Sequence, residues 1–319
     1  MRAICFEDRL IYDDNRPEPA PTNGDAVVRV HLAGICATDH HITRGYMGFR
    51  GIVGHECVGT VETGPHEWLG KRVVCEINCV CRQCAQCQSG LSNHCSRRTV
   101  MGIRGRDGCF ADLVAVPIHN LHEAPNAITD EEAVFVEPLA AAMQVVKQVP
   151  IERRMNVAVV GSGRLGLLVA QVLATTGCRL EVIGRNPQSL LFCEKRGIRA
   201  RLISDTPAKA DRDLVVDCTG SPDGLAAAIG FVRPRGTIVL KSTHAEPSAV
   251  DLAPIVVNEI TVVGSRCGPF ADAIHALARR EVDVSSMVSR SYKIERWAEA
   301  FEASQQAGNI KVLLKINPR

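Results

Sequence analysis

The sequence predicts an α/β chain of two domains, an antiparallel β domain first and a doubly wound, six-stranded parallel sheet second. Three observations predict it. Up to about residue 125, short apolar strands are broken by Gly, Pro and Asn. Beyond residue 155, apolar strands alternate with segments of helical periodicity. Where that second pattern begins, Gly161-Ser162-Gly163-Arg164-Leu165-Gly166 joins a strand directly to a helix.

At 319 residues the chain is long enough for both domains and a sizeable buried core. Lys and Arg number 37 against 35 Asp and Glu, and no basic run stands out, which argues against a nucleic-acid partner. No apolar run approaches the ~20 residues of a membrane span. The start, Met1-Arg2-Ala3-Ile4-Cys5-Phe6, lacks a secretory pattern, so a soluble cytoplasmic protein is expected. Clustered cysteines in so long a chain read as metal ligands in a reducing compartment, not as a disulfide scaffold.

In chain order, residues 17–21 form a Pro-rich connector. Ala26-Val27-Val28-Arg29-Val30, Cys57-Val58-Gly59-Thr60-Val61, Arg72-Val73-Val74 and residues 110–116 are the clearest strands of the first domain. Within it, Cys81, Cys84, Cys87 and Cys95 have the spacing of an all-sulfur tetrahedral site, with Cys79 just outside. Such a structural zinc would staple a loop too poor in apolar residues to fold alone. Free thiols or an iron–sulfur cluster are the competing readings. A second, scattered set comprises Cys36, Thr38, Asp39, His40 and His41, then Gly54-His55-Glu56, then Glu137 at the start of an apolar helix. Taken singly, Cys36 also fits a buried small hydrophobe, His55 a satisfied core histidine and Glu137 a helix N-terminal charge.

In the second half, residues 157–160 are a buried strand. Leu165, Leu168, Val169, Val172 and Leu173 then recur at helical spacing, Gly177 stops the helix, and residues 180–183 form the next strand. This βαβ context makes the glycine turn a dinucleotide site. Gly161 allows the tight turn, Gly163 lets backbone approach a pyrophosphate, and Gly166 lets the helix pack close. Arg164 and Leu165 open the helix, whose N–H groups and dipole favour the phosphates. Residues 200–203, 214–217, 237–240 and 260–263 supply four more strands, and Asn186-Pro187 and Ser221-Pro222 read as helix starts. Thr219, Ser242 and Ser265 stand at strand ends, where such sheets bind ligands. An NAD site usually has Asp or Glu at the end of the second strand. Here Gly184-Arg185-Asn186 occupies that place, and Glu181 lies too early. Gly184 leaves room for a 2′-phosphate and Arg185 can pair with it, so NADP is expected, with NAD second.

Gly34-Ile35-Cys36-x-Thr38-Asp39-x-His41, Gly54-His55-Glu56, the four-cysteine lobe, Glu137-Pro138-Leu139-Ala140 and the nucleotide turn follow one another over nearly the whole chain. In this the chain resembles the zinc-dependent medium-chain dehydrogenase/reductases, the superfamily of alcohol, polyol and threonine dehydrogenases. The resemblance implies a GroES-like antiparallel β catalytic domain at residues 1–138, a six-stranded Rossmann domain at 139–267, and a return to the catalytic domain at 268–319. It implies a catalytic zinc held by Cys36, His55 and Glu137, with Glu56 able to enter the coordination shell and Asp39 orienting a ligand. With the structural zinc, that makes two zinc ions per chain. Thr38 and His41 take the place of the family's proton relay, and Ser242 and Ser265 lie near the nicotinamide.

Three protein ligands and one open position are what a catalytic zinc requires. Glu137, where many alcohol dehydrogenases have cysteine, points to a polyol, sugar or other secondary alcohol. Residues 61–71 are compressed where relatives carry a longer hairpin. The resemblance also implies a homodimer or homotetramer. Two competing functions are a zinc-free reductase of activated double bonds and a non-enzymatic nucleotide-binding redox sensor built on the cysteine lobe.

Overall fold

A computed structural model describes residues 1–22, 24–243 and 249–318. The chain divides into two compact units. The first comprises Met1–Glu137, Ala273–Arg279 and Val284–Arg319, and the second Pro138–Asp272 and Arg280–Asp283.

The first unit is built around the strand Asp25–Gly34, whose side chains are nearly all buried. It pairs antiparallel with Cys57–Thr63, Leu113–Pro117 and Lys311–Lys315 in a seven-stranded sheet. One pairing departs from the expected antiparallel pattern, because Val288–Lys293 runs parallel to Lys311–Lys315. A crossover explains it, since the helix Trp297–Gln305 separates the two strands. The pairing of Leu313 with Gly34 brings the last strand beside the loop that begins at Ile35. A three-stranded sheet of Asn78–Cys79, Thr99–Met101 and Gly105–Arg106 frames the cysteine lobe.

In the second unit six parallel strands lie in the order Arg199–Leu202, Arg179–Gly184, Asn156–Val160, Arg212–Asp217, Val232–Leu240, Thr261–Gly264. That is the 3-2-1-4-5-6 order of a doubly wound dinucleotide fold, with its switch point between the first and fourth strands. The central strands are buried on both faces because helices cover them, while the edge strands Arg199–Leu202 and Thr261–Gly264 are largely open. Ala158, Val160, Ile183, Val215 and Ile238 pack with Ala228 and Phe231 of the helix Gly224–Phe231. Two boundaries differ from the sequence reading. The fifth strand starts at Val232, not near residue 237, with Arg235 at φ 57° and a register shift in its partner between Arg212 and Leu214. The helix expected at Ser221-Pro222 begins at Gly224, after a turn in which Gly224 N–H donates to the Ser221 carbonyl. Asn186 does start a helix: its side chain accepts from the N–H groups of Gln188 and Ser189, with Pro187 next in line.

Candidate active site

The glycine turn sits at the switch point. Gly161 has φ +107°, and a Cβ there would lie 2.6 Å from the Cys218 backbone, so only glycine fits. A Cβ on Gly166 would lie 1.9 Å from the Gly161 carbonyl, which is how closely the helix Arg164–Thr175 meets the turn. Gly163, its N-cap, is the reverse case. Nothing stands within 4 Å of the place its Cβ would take, and it contributes no capping side chain. Open space before a helix N-terminus, at a sheet's switch point, is what a pyrophosphate needs, so the turn fits a dinucleotide.

Around it, Asp217 is buried at its strand end and accepts from the Thr219 N–H at 2.9 Å and hydroxyl at 2.8 Å. Ser242 Oγ accepts from Gly220 N–H at 2.9 Å. Ser265 lies 3.4 Å from the buried Lys241 ammonium, which also donates to the carbonyls of Ala141 and Arg266 at 2.7 Å each. Thr219, Ser242 and Ser265 therefore share one end of the sheet. Asp217 and Lys241, which order them, had no signal in the sequence beyond being charges at the ends of apolar runs. Gly184 ends the second strand and Arg185 follows it, exposed. Glu181 is only 4% exposed and faces Arg199, Arg201 and Arg212 at 2.9, 3.0 and 2.5 Å. Its charge is fully engaged inside the sheet.

In the cysteine lobe, neighbouring sulfurs of Cys81, Cys84, Cys87 and Cys95 lie 3.4 to 3.8 Å apart. A tetrahedron with arms of about 2.3 Å has edges of about 3.8 Å, so the lobe fits one zinc ion. Disulfides would need sulfurs about 2.05 Å apart, and an iron–sulfur cluster would hold them farther away. Backbone N–H groups of Cys87 and Ser96 point at Cys84 and bring its thiol down to about 5, ready to ligate. Cys79 stands outside this set, accepting from the Asn120 amide.

The second cluster forms where the loop after Asp25–Gly34 meets the segment before Cys57–Thr63. Ligand atoms of Cys36, His55 and Glu56 lie within 4.8 Å of one another. Cys36 is the N-cap of the short helix Ala37–Ile42, which carries Thr38, Asp39 and His41. One Asp39 oxygen accepts from the Cys36 N–H at 2.8 Å, and the other faces His55 Nδ1 at 3.4 Å. Asp39 thus orients the histidine from behind, the arrangement second carboxylates take around zinc ligands. Burial pushes the Cys36 thiol up, but the charge and hydrogen bond of His55 outweigh it and bring it to about 6. Burial also disfavours a charged His55, yet Asp39 and Cys36 hold its protonation well above the usual range. A half-buried thiolate and a buried imidazole converging beside a carboxylate suit a divalent, thiophilic cation, so the donor set fits zinc.

Glu56 is 1% exposed and bonds the ammonium of Lys311, itself 2% exposed. Burial lowers Lys311 to about 8, against the pull of Cys36 and Asp39. Lys311 is a site residue that the sequence concealed. Glu137 lies in the first turn of Val136–Gln148, partly exposed, and the convergent set contains Glu56 in its place. Thr38 Oγ1 is 3.7 Å from the Cys36 sulfur. Of the two histidines, His40 has both ring nitrogens engaged, by Ser304 and Gln305 at 2.7 Å each, and packs edge-on to Phe301. His41 faces the Tyr46 ring instead, 6.3 Å between centroids.

Comparison with known proteins agrees with this geometry. Residues 22–126 match the family of alcohol dehydrogenase GroES-like domains, and residues 165–281 match the zinc-binding dehydrogenases. The chain is 29% identical to a sorbitol dehydrogenase of Halalkalibacterium halodurans, over 94% of each chain. It is 26% identical to the D-arabitol-phosphate dehydrogenase of Enterococcus avium, over 94% of this chain and 92% of that one. Among solved structures it is similar to the alcohol dehydrogenase RspB of Escherichia coli CFT073 with NADH, at 28% identity, TM-score 0.89 and 99% coverage of both chains. It is equally similar in fold to a zinc-binding dehydrogenase of Sinorhizobium meliloti 1021 bound to NADP, at 26% identity, TM-score 0.89 and 99% of both chains. The chain belongs to the zinc-dependent medium-chain dehydrogenase/reductase superfamily and is an oxidoreductase acting on alcohols.

Proposed function

We propose that the chain oxidises a polyol, sugar or other secondary alcohol with NADP in preference to NAD, using two zinc ions per chain. The observation that carries the chemistry is the convergence of half-buried Cys36 and buried His55, with Asp39 behind the imidazole. Zinc in that pocket supplies Lewis acidity toward an alcohol oxygen, and a nicotinamide on the glycine turn supplies the hydride acceptor. The residues of the chain do the rest. Cys36, His55 and Glu137 hold the metal, with Glu56 in reserve on Lys311. Thr38, next to the Cys36 sulfur, takes the substrate proton, and His41 carries it toward solvent. His40 is unsuited to that role because Ser304 and Gln305 fasten its ring. The names of the sorbitol and D-arabitol-phosphate relatives support the polyol class.

The NADP preference rests on Gly184 standing where an NAD site has its carboxylate. Glu181, the nearby alternative, is held by three arginines. Arg185 is then the partner of the 2′-phosphate. A second copy pairs along the edge strand Thr261–Gly264, beside which Val256 and Val257 are 76% and 78% exposed. Among the described residues no helix is long and apolar enough to cross a membrane. Together with its free thiols, this supports a cytoplasmic protein.

The test is cofactor reduction, followed by nicotinamide absorbance, across a panel of polyols, sugars, amino alcohols and simple alcohols with each cofactor. Turnover with NADP that a zinc chelator abolishes is the expected result. Turnover that survives substitution of Cys36 and His55 would instead support a zinc-free reductase. Faster turnover with NAD would overturn the cofactor assignment.

A further inference from the structure

We propose that Lys241 positions the nicotinamide half of the cofactor by fastening the segment that carries Ser265 to the helix Val136–Gln148. This rests on the dinucleotide reading of the glycine turn and adds to it a residue that acts through its neighbours. A doubly wound sheet consists of two mononucleotide-binding halves that meet at the switch point. With the pyrophosphate on the glycine turn and the adenosine ribose at the end of Arg179–Gly184, the second nucleotide falls to the other half. Its floor is the ends of Arg212–Asp217, Val232–Leu240 and Thr261–Gly264. Lys241 is the first residue beyond the middle one of these three strands.

The lysine is 7% exposed, and its three ammonium donors face three acceptors. Two are the carbonyls of Ala141 and Arg266, at 2.7 Å each, and the third is Ser265 Oγ at 3.4 Å. Ala141 lies inside Val136–Gln148, so its carbonyl has one lone pair for the helix and a second for Lys241. Residues 265–268 lie outside any helix or strand, and side contacts set their place. Ser265 N–H donates to the Leu240 carbonyl at 3.0 Å, and Gln148 Nε2 to the Gly264 carbonyl at 3.2 Å. A Cβ on Gly268 would stand 1.8 Å from the Ala140 carbonyl, so the segment lies directly on the helix. The Lys241 N–H itself donates to the Asp217 carbonyl at 2.9 Å. One residue thus joins the ends of all three strands to one helix.

Bonds from a charged donor are stronger than neutral ones, so the ammonium holds Ser265 and Arg266 more firmly than another amide would. A nicotinamide lying against them must present one face in one orientation, and a drift of about 1 Å costs about 10²-fold in rate. The adenosine half rests on other residues, Gly161 to Gly166 and the end of Arg179–Gly184. Loss of the ammonium should therefore be felt in one half of the cofactor only. Methionine keeps most of the stem and removes all three donors, whereas the shorter glutamine keeps one donor group.

The experiment uses the full-length, zinc-loaded protein and its Lys241→Met variant. It measures affinity for NADPH and for adenosine 2′,5′-bisphosphate, which carries the first half alone, together with the emission of bound NADPH and kcat. Lys241→Met should bind the bisphosphate as wild type does and NADPH about ten-fold more weakly, the loss of roughly one charge-assisted bond. The emission of its bound NADPH should lie closer to that of the free cofactor, and kcat should fall by about 10²-fold. Lys241→Gln should fall between the two proteins, and it carries the same comparison if the methionine variant does not fold. Equal weakening of NADPH and the bisphosphate would overturn the proposal, because a general loss of structure does that. Wild-type NADPH affinity and emission in either variant would overturn it too. Tighter binding of NADH than of NADPH by wild type would sink only the NADP reading, and the same comparison then runs with NADH and ADP.

Discussion

Replacing Lys311 by methionine should be among the most damaging single changes in the first unit, although Lys311 lies 255 positions from its partner in sequence. The perturbation removes one charge and keeps the stem, since methionine has nearly the same length and can rest on the Phe135 ring that the ammonium now approaches at 5.6 Å. Glu56, 1% exposed, is then left without its cation among Cys36 and Asp39. Breaking a buried pair from one side costs about 3–5 kcal/mol, because the remaining charge can neither reach water nor find a substitute. An exposed pair would cost only about 0–1 kcal/mol. Urea unfolding of both proteins, with metal removed by chelator, measures the difference directly. Lys311→Met/Glu56→Gln should recover most of the loss, because the two charges then disappear together. A single-variant cost below about 1 kcal/mol would refute the claim that the pair is buried and mutually dependent.

Other outcomes follow from the same geometry. Glu137→Ala should lower the zinc content of the Cys36 site while leaving the cysteine lobe loaded, so metal analysis should fall toward half. An unchanged zinc content would move the third ligand to Glu56. Thr38→Ala should lower kcat by about 10²–10⁴-fold with little change in zinc content or cofactor affinity, as loss of a proton relay does, and steady-state kinetics reads it. Cys84→Ser should loosen the cysteine lobe before it affects chemistry, seen as early proteolysis of residues 81–95 and a lower melting temperature. Asp130 is held at about 2, first by the hydrogen bond from His31 and then by Arg72, against burial. A carboxylate depressed in the folded state adds stability above its unfolded value of about 4 and loses it as pH falls toward 2. Wild type should therefore exceed Asp130→Asn by about 2 kcal/mol at pH 6, with about half of that gone by pH 3 in urea titrations.

Much of the fold was legible because its central parallel strands are buried on both faces and so appear as apolar runs, as in residues 157–160. Val288–Lys293 gave no such signal. None of its residues is fully buried, it lies at a sheet edge, and its parallel partner comes after an intervening helix. The early start of Val232–Leu240 was hidden because Arg233, Pro234 and Arg235 break the apolar run, and a proline within a strand argues against one. In the sites, the convergence of Cys36 with His55 and of the four lobe cysteines was legible because few residue types ligate zinc and their local spacing is constrained. Lys311 and Asp217 were not, because what defines them is a partner brought close by folding.

The two carboxylates show where local sequence stops deciding. Glu56 is carried next to His55 by the chain itself, so adjacency alone puts it near the metal position, and the structure finds it there. Adjacency does not assign it as a ligand. Its charge is already neutralised by Lys311, and a carboxylate sharing its lone pairs with a buried ammonium is a weaker donor than one without such a partner. On the proposed reading, Glu56 held back in this way would stay close enough to bind when a ligand position opens, and the third permanent position would fall to another donor. Glu137 fits that need because it enters on a helix of its own, independent of the segment carrying His55. Exchange between the two would require Glu56 to leave Lys311, so Lys311→Met should also raise the share of metal held by Glu56 and lower the zinc lost on substituting Glu137. If Glu137→Ala empties the site equally with and without Lys311, the ammonium has no part in choosing the ligand.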